Sequence, residues 1–126
     1  MVQQQTILRV SDNSGARFVQ CIKVSKGFKR RTASLGDIIT VSIKQLRKKA
    51  RFRSKVKKGE IHKAIILRVK KKIVKLDGSV FWFKNNAVCL LNKKKTPIAT
   101  RILGSIPRVL KKQNFLKFAS ISGRFV

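Results

Sequence analysis

The sequence predicts a small, mainly β protein whose strands form a closed or nearly closed barrel. Short runs of β-branched and aromatic residues recur along the chain, and turn signals such as Asp12–Gly15 and Gly36-Asp37 separate them. No long helical period occurs among these runs. A barrel also leaves no exposed strand edge, which suits a chain this rich in Val, Ile and Phe.

Six runs are predicted as strands. In chain order they are Thr6–Val10, Arg17–Val24, Ile38–Ile43, Ile61–Val69, Val80–Phe83 and Ala87–Leu91. Each of the last five follows a turn signal, respectively Asp12–Gly15, Gly36-Asp37, Gly59-Glu60, Asp77-Gly78 and Asn85-Asn86. In the third run Ile39, Val41 and Ile43 point to one side and Thr40 and Ser42 to the other, which is typical of a half-buried strand. Five or six such strands favour the barrel.

The end of the chain has a different pattern. We expect a short helix with Ser105 as its N-cap, Pro107 in its first turn and Lys111-Lys112 at its positive end. Phe115–Ile121 then looks extended. The sequence therefore predicts one domain over residues 1–126, with the barrel and its loops in about 1–104 and a C-terminal helix and tail in 105–126.

The charge balance indicates the class of partner. The chain has 126 residues, with 32 Lys and Arg against 4 Asp and Glu, so its net charge is +28. At 43% hydrophobic residues it can build a core, which argues against pure disorder. A free compact protein with this charge repels itself, so we infer that the native state includes a polyanion. Nucleic acid is the first candidate and an anionic membrane surface the second.

No run of residues approaches the roughly 18 apolar residues of a membrane span. The first ten residues lack the pattern of a secretory signal or a transit peptide, so we expect a protein made where it works, with no membrane partner. Cys21 and Cys89 each lie in an apolar run. We expect buried, inert thiols there, the alternatives being a disulfide or a reactive site.

The four carboxylates, Asp12, Asp37, Glu60 and Asp77, all lie close to glycines in turns. Short acidic side chains close turns by accepting hydrogen bonds from backbone N–H groups, so we interpret all four as turn residues. Neither a carboxylate pair for acid–base catalysis nor a cluster for magnesium is visible. We expect His62, the only histidine, at the surface or facing RNA rather than in a metal or catalytic site. We predict no enzyme, no catalytic residue, no metal and no cofactor.

The basic residues are clustered between strands or at strand ends. The clusters are Lys26–Arg31, Lys44–Lys58, Lys70–Lys75 and Lys93–Lys95. Lys neutralises a phosphate as a point charge and Arg can bind it bidentately, so we predict phosphate contacts for these loops. Because Lys44–Lys58 has almost no turn residues, we expect an extended arm that orders only on RNA.

Two groups of aromatic residues leave alternatives open. Phe52, between two arginines, either stacks on an unpaired base or anchors its loop to the barrel. On a strand, Phe81 and Phe83 share one face and Trp82 lies on the other. Either the two phenylalanines form a core pair and Trp82 is exposed, or all three form a base-stacking platform.

A series of ordered motifs extends from Gln3 to about Ile121. They are Gln5-Thr6, Asp12–Arg17, Cys21–Val24, Arg30-Arg31, Gly36–Ile39, Lys55–Gly59, Lys63-Ala64, Asp77–Val80, Phe83, Asn86-Ala87, Leu90–Asn92, Pro97-Ile98, Thr100–Ile102 and Gly104. In this order they closely resemble the universal family of the large-subunit ribosomal protein numbered fourteen.

The resemblance implies a five-stranded β-barrel with one or two short C-terminal helices. It implies a structural constituent of the ribosome that binds large-subunit rRNA at the subunit interface and contacts small-subunit rRNA in an intersubunit bridge. Neighbouring ribosomal proteins, in particular the nineteen family, are implied partners. In bacteria and organelles a ribosome-silencing factor docks on the C-terminal surface, where Thr100, Arg101, Arg108 and Lys111 fall by position.

The basic residues expected to bind rRNA are Arg17, Lys29, Arg30, Arg31, Lys44, Arg47, Lys48, Lys49, Arg51, Arg53, Lys55, Lys57, Lys58, Lys70, Lys71, Lys72, Lys93 and Lys94. The sequence also departs from the family. Lys44–Lys58 looks about four residues longer than in bacterial relatives and lacks their proline, which indicates an altered RNA contact. The tail Ser122–Val126 replaces an end containing Ala-Pro-Glu, and Val109 stands where relatives often have an acid. Both changes weaken the expectation that the silencing-factor contact is conserved.

The chain has 21 Lys, 13 Ile, 8 Phe and 5 Asn, together 47 of its 126 residues, all with A/T-rich codons. We therefore expect the large subunit of a mitochondrial ribosome, with a plastid or the bacterial cytoplasm as the alternative. Three other functions stay open: a free single-strand RNA-binding module of the cold-shock type, a membrane-surface protein and an RNA-acting enzyme. The first would expose the aromatic rings, and the second would need a long amphipathic helix.

Overall fold

A computed structural model describes residues 1–25, 27–48, 54–112 and 116–126. Within these residues the chain forms nine strands and two helices. The strands are β1 (Val2–Gln3), β2 (Ile7–Val10), β3 (Ala16–Val24), β4 (Thr32–Ala33), β5 (Ile38–Leu46), β6 (Ile61–Arg68), β7 (Ile73–Val74), β8 (Val80–Phe81) and β9 (Ala87–Leu91). The helices are α1 (Val109–Lys112) and α2 (Leu116–Ser120).

Five strands form a closed barrel in the order β2-β3-β5-β6-β9. Four of the five pairings are antiparallel, and the barrel closes through the parallel pairing of β2 with β9. In that pairing Arg9 lies opposite Ala87 and Val10 opposite Val88. The mainly β fold and the five-stranded barrel are therefore confirmed, and each barrel strand overlaps one of the six predicted runs.

The barrel core follows the predicted alternation most clearly in β5. Ile39, Val41 and Ile43 are buried, whereas Thr40 and Ser42 are half-buried on the other side. Strand β9 is different because all five of its residues are buried. The chain after β9 turns back beside it, where the Ile98 N–H donates to the Leu90 carbonyl at 3.1 Å.

The predicted strand Val80–Phe83 is wrong in length and in place. Strand β8 ends at Phe81 and pairs only with β7, in a two-stranded sheet outside the barrel. The Asp77-Gly78 turn is the reason, because it folds the chain back on itself: the Lys75 N–H donates to the Ser79 carbonyl at 2.8 Å. The small strands β1 and β4, which the sequence analysis missed, form a second two-stranded sheet.

The C-terminal segment corrects two predictions. Helix α1 begins later than expected, and both Ser105 and Pro107 precede it. The Ile106 N–H donates instead to the Arg124 carbonyl at 2.9 Å, so this stretch pairs with the tail. The segment predicted to be extended contains α2, because one helical turn buries Phe118 in the core while its neighbours Leu116 and Lys117 stay exposed. Phe115 lies outside the described residues.

Cys21 and Cys89 are buried free thiols, as predicted. Burial raises the pKa of the Cys21 thiol. Burial also raises the pKa of the Cys89 thiol, and the nearby Asp12 carboxylate raises it further. Both side chains therefore stay protonated and pack as small apolar groups.

Candidate nucleic-acid interface

All four carboxylates of the chain accept a hydrogen bond from a backbone N–H in their own turn. The pairs are Asp12 with Ser14 at 2.9 Å, Asp37 with Ser34 at 2.9 Å, Glu60 with Lys57 at 2.9 Å and Asp77 with Ser79 at 3.1 Å. The nearby glycines, Gly15, Gly36, Gly59 and Gly78, all have positive φ. The interpretation of the acids as turn residues is therefore confirmed.

The two acids nearest to solvent are also held in place. The Lys57 N–H lowers the pKa of Glu60, and His62, whose Nε2 lies 3.2 Å from Oε2 of Glu60, lowers it further. The Ser79 hydroxyl and N–H lower the pKa of Asp77. Asp12 and Asp37 are buried. The acids serve the fold, and they leave most cations of the surface without a carboxylate partner.

A first basic surface surrounds an open cavity of about 900 Å³. It consists of Lys23, Lys29, Arg30 and Arg31 with Gln3 and Gln4. Arg30 is fixed in direction, since its Nη2 lies 2.8 Å from Oδ2 of Asp37 and its Nε donates to the Thr32 carbonyl at 2.9 Å. Phe28, beside this surface, is 91% exposed, and the Lys29 ammonium lies 5.6 Å from its ring centre.

A second basic surface lies where β3 begins and β5 ends. It consists of Arg9, Arg17, Lys44, Arg47, Lys48 and Lys58 around two adjoining cavities of about 590 and 510 Å³. Arg47 is half-buried, and its Nη2 donates to the carbonyls of Val10 and Asp12 at 3.1 and 3.0 Å. These two bonds fix the guanidinium against the barrel. Arg47 therefore stabilises the fold and also contributes a positive charge to the second basic surface.

A third basic surface is a groove of about 830 Å³ between β6 and the loop after β9. Lys63, Lys93 and Lys94 line it, together with Ile61 and His62. Near this loop, Lys55 is held by its own backbone and side chain: the Lys55 N–H donates to the Ser14 carbonyl at 3.0 Å, and Nζ donates to the Ile98 carbonyl at 3.3 Å.

Most of the predicted rRNA-binding side chains are exposed. They are Arg17, Lys29, Arg30, Arg31, Lys44, Lys48, Lys55, Lys57, Lys58, Lys70, Lys71, Lys72, Lys93 and Lys94. Arg47 is half-buried. Lys49, Arg51 and Arg53, together with Phe52, lie outside the described residues, so the extended arm there stays a prediction.

Several cations of these surfaces were missed because they do not belong to a charge run. Arg9 and Lys63 are single outward residues on β2 and β6, and Lys23 is one on β3. The alternation of Arg9 with buried Leu8 and Val10 is the signal that could have found it. Phe28 lies inside a predicted cluster, but its full exposure is a property of the loop conformation.

The structure brings Thr100 and Arg101 together on Asn13. The Asn13 Oδ1 accepts hydrogen bonds from both backbone N–H groups, at 3.1 and 3.2 Å, and its Nδ2 donates to the Thr100 hydroxyl at 2.9 Å. Arg108 is anchored elsewhere, because its N–H donates to the Val126 carbonyl at 2.9 Å. The side chain of Lys111 lies outside the described part of the chain.

Among the described residues, no group of three His, Cys, Asp or Glu side chains is arranged to hold a metal ion. In the same residues no helix is both long enough and apolar enough to cross a membrane. The Phe81 and Phe83 rings pack edge to face with centres 6.0 Å apart, but they are half-buried and lie outside the core cluster, and Trp82 is exposed. Of the two alternatives, the contact between the phenylalanines and the exposure of Trp82 agree with the first, but the pair does not lie in the core.

A comparison with known protein families identifies the family of this chain. The family described as ribosomal protein L14p/L23e matches residues 1–126, which is the whole chain. The chain belongs to this family. It is therefore a structural component of the large ribosomal subunit that serves translation, in a family without enzymatic activity. Family membership also makes ribosomal RNA and ribosomal proteins its partners.

Proposed function

We propose that the chain binds large-subunit rRNA through the three basic surfaces and sits at the interface between the subunits. One observation carries this proposal. All four carboxylates accept hydrogen bonds within turns, while the basic surfaces expose at least a dozen cations that face solvent. Phosphate groups are the partners that would offset this repulsion, and the release of their counterions would favour binding.

The geometry of two arginines supports a rigid docking mode. Arg30 and Arg47 are held by hydrogen bonds within the protein, so little side-chain entropy is lost when they meet phosphate oxygens. The lysines at the cavity rims neutralise phosphate charge as point charges, without a fixed hydrogen-bond geometry. Binding of this kind reads the shape of RNA more than its sequence. Phe28, exposed and next to the Lys29 ammonium, is suited to stack on one unpaired base.

We also propose that the C-terminal surface with Thr100, Arg101, Arg108 and Lys111 faces the small subunit. Its partners would be small-subunit rRNA in the bridge, a protein of the nineteen family beside it and a ribosome-silencing factor. The hydrogen bonds that the Thr100 and Arg101 N–H groups donate to Asn13 Oδ1 support this role, since they hold this backbone at the surface. The single domain over residues 1–126 and the mitochondrial compartment belong to the same proposal.

Sedimentation of the tagged protein from its own cells tests the proposal, before and after a high-salt wash. We expect the protein to stay with the large subunit after the wash, because many phosphate contacts and a rigid fit act together. A variant with Arg101→Ala and Arg108→Ala should stay in the large subunit but join small subunits less well. Release of the unmodified protein into the light fractions would favour a free single-strand RNA-binding module instead. Unchanged subunit joining would contradict the role of the C-terminal surface.

A further inference from the structure

The hairpin of β7 and β8, residues 69–84, has two different faces. In its register Ile73 lies opposite Phe81 and Val74 opposite Val80. Residues paired across two strands share a face, so Ile73 and Phe81 form one side and the two valines the other. The first side is half-buried, and Ile73 packs against the core. The second side is the outer face of the hairpin.

The outer face is apolar and open to solvent. Val74 is 67% exposed, Val80 45% and Trp82 59%, and Leu76 at the tip is fully exposed. Single exposed apolar residues are common in proteins, but this small hairpin exposes four within nine residues, and we treat them as one apolar patch. Such a patch indicates a surface that is covered when the protein works.

The rim of this patch is cationic. The hairpin carries Lys70, Lys71, Lys72, Lys75 and Lys84 against Asp77 alone, a net charge of +4. The Lys72 ammonium lies 5.4 Å from the ring centre of Trp82 at the edge of this patch, whereas the Lys75 ammonium lies 5.3 Å from the ring centre of Phe81 on the other side of the hairpin. The Asp77 carboxylate accepts hydrogen bonds from the Ser79 hydroxyl, at 2.7 Å, and from the Ser79 N–H. The face therefore complements a negatively charged partner that also has apolar groups.

We propose that the outer face of the hairpin docks an acidic protein segment with apolar side chains. The aliphatic residues favour protein over RNA, since Val74, Leu76 and Val80 have no ring on which a base could stack and no group that binds phosphate. A protein segment buries these side chains and places its carboxylates against the lysine rim. The proposal assigns Lys72 to this partner, apart from the three basic surfaces.

Site-specific photo-crosslinking in assembled large subunits tests this assignment. Leu76 is replaced by p-benzoylphenylalanine in the full-length protein, and Lys94, exposed on the third basic surface, is replaced in a control. After irradiation we expect the Leu76 position to yield a crosslinked peptide with more Asp and Glu than Lys and Arg, rich in apolar residues. A crosslink to rRNA, a crosslink to a basic peptide or no product above the unirradiated sample would overturn the proposal. The Lys94 position reports rRNA binding, so failure of one proposal is distinguishable from failure of the other.

A pair of double variants shows whether the outer face itself carries the contact. With the crosslinker at Leu76, Val74→Ser with Val80→Ser should lower the product about tenfold or more, because the contact loses two apolar side chains that the partner would bury. Ile7→Ser with Ile22→Ser removes two apolar residues of β2 and β3 that are 64% and 37% exposed, outside the three basic surfaces, and should leave the product unchanged. Both variants should remain in the large subunit. Equal yields from the two variants would overturn the proposal.

Discussion

Asp12 and Leu90 are joined by a hydrogen bond between residues 78 positions apart: the buried Asp12 Oδ2 accepts the Leu90 N–H at 2.9 Å. The other carboxylate oxygen of Asp12 accepts the N–H and the hydroxyl of Ser14. One side chain therefore closes the turn between β2 and β3 and also binds β9 near its C-terminal end. It connects the turn to β9 beside the parallel β2–β9 pairing that closes the barrel.

Replacement of this carboxylate by an amide tests how much the connection contributes. Asp12→Asn keeps the size of the side chain but points an NH₂ group at donors, so at least one buried N–H loses its acceptor. We expect the free energy of unfolding to fall by about 3 kcal/mol. Urea denaturation followed by circular dichroism measures it. The exposed Asp77→Asn is the control and should change stability far less at neutral pH; similar losses would contradict the special role of Asp12.

Gly104 lies against Arg68, whose guanidinium holds the chain on either side of it. Arg68 Nε donates to the Ser105 carbonyl at 2.8 Å, and Nη2 donates to the Leu103 carbonyl. A Cβ at Gly104 would lie 2.6 Å from Nη2, and φ there is +85°. We expect Gly104→Ala to displace the guanidinium and so to loosen the segment that leads to the C-terminal surface.

A second glycine distinguishes the two destabilising effects of Gly104→Ala, which are backbone strain and the loss of the Arg68 hydrogen bonds. Gly78 has φ +78° with open space around it, so Gly78→Ala reports the backbone strain alone, about 1–2 kcal/mol. Gly104→Ala should cost about 1.5–3 kcal/mol more, since the charged hydrogen bonds of Arg68 are lost as well. Chemical denaturation of both variants, repeated in an Arg68→Ala background, measures the coupling. An unchanged difference in that background would disprove the role of Arg68.

The barrel could be predicted from local sequence because runs of β-branched residues recur, β2 and β5 alternate, and a turn signal precedes each later strand of the barrel. The same local pattern could not assign Phe81 to a separate hairpin, since the sheet that a strand joins depends on distant partners. Helix α2 was missed for a related reason: its short sequence has no apolar period, and the burial of Phe118 selects the helical turn. Tertiary packing decided both cases.

The candidate site was predictable in its charge but not in its geometry. Runs of lysine and arginine identified most exposed cations, whereas Arg9 and Lys63 stand alone on strands and show no run. The internal partners of Arg47, the carbonyls of Val10 and Asp12, are 37 and 35 residues away along the chain. No sequence pattern indicates that this arginine is fixed while Lys48 beside it is free to move toward a phosphate.

The turn acid Asp77 predicts a pH dependence of stability. The Ser79 hydroxyl and N–H hold its pKa in the folded chain below the ordinary 3.8. The carboxylate therefore stabilises the fold at pH values above about 4, and this contribution is lost as the pH falls through the lower folded pKa. We expect the melting temperature to exceed that of Asp77→Asn at about pH 6 and the difference to vanish near pH 2. A difference that stays constant with pH would contradict the assignment.

Exposed cations and cations hydrogen-bonded within the protein should differ in their effects on RNA binding and on stability. Lys93→Gln with Lys94→Gln removes two solvent-facing charges of the third basic surface, so the slope of log K against log salt for rRNA should shrink by about 1 to 2. The same variant should unfold like the unmodified protein. Arg47→Gln should instead lower the free energy of unfolding by about 1–3 kcal/mol, because the carbonyls of Val10 and Asp12 lose their charged donor. Filter binding at several salt concentrations gives the salt slope, and urea denaturation gives the free energy of unfolding.

If the lysine variant kept the full salt slope, the third basic surface would not bind phosphate. If Arg47→Gln kept full stability, its bonds to the barrel would contribute nothing, and the fixed guanidinium in the proposed docking mode would lose its basis.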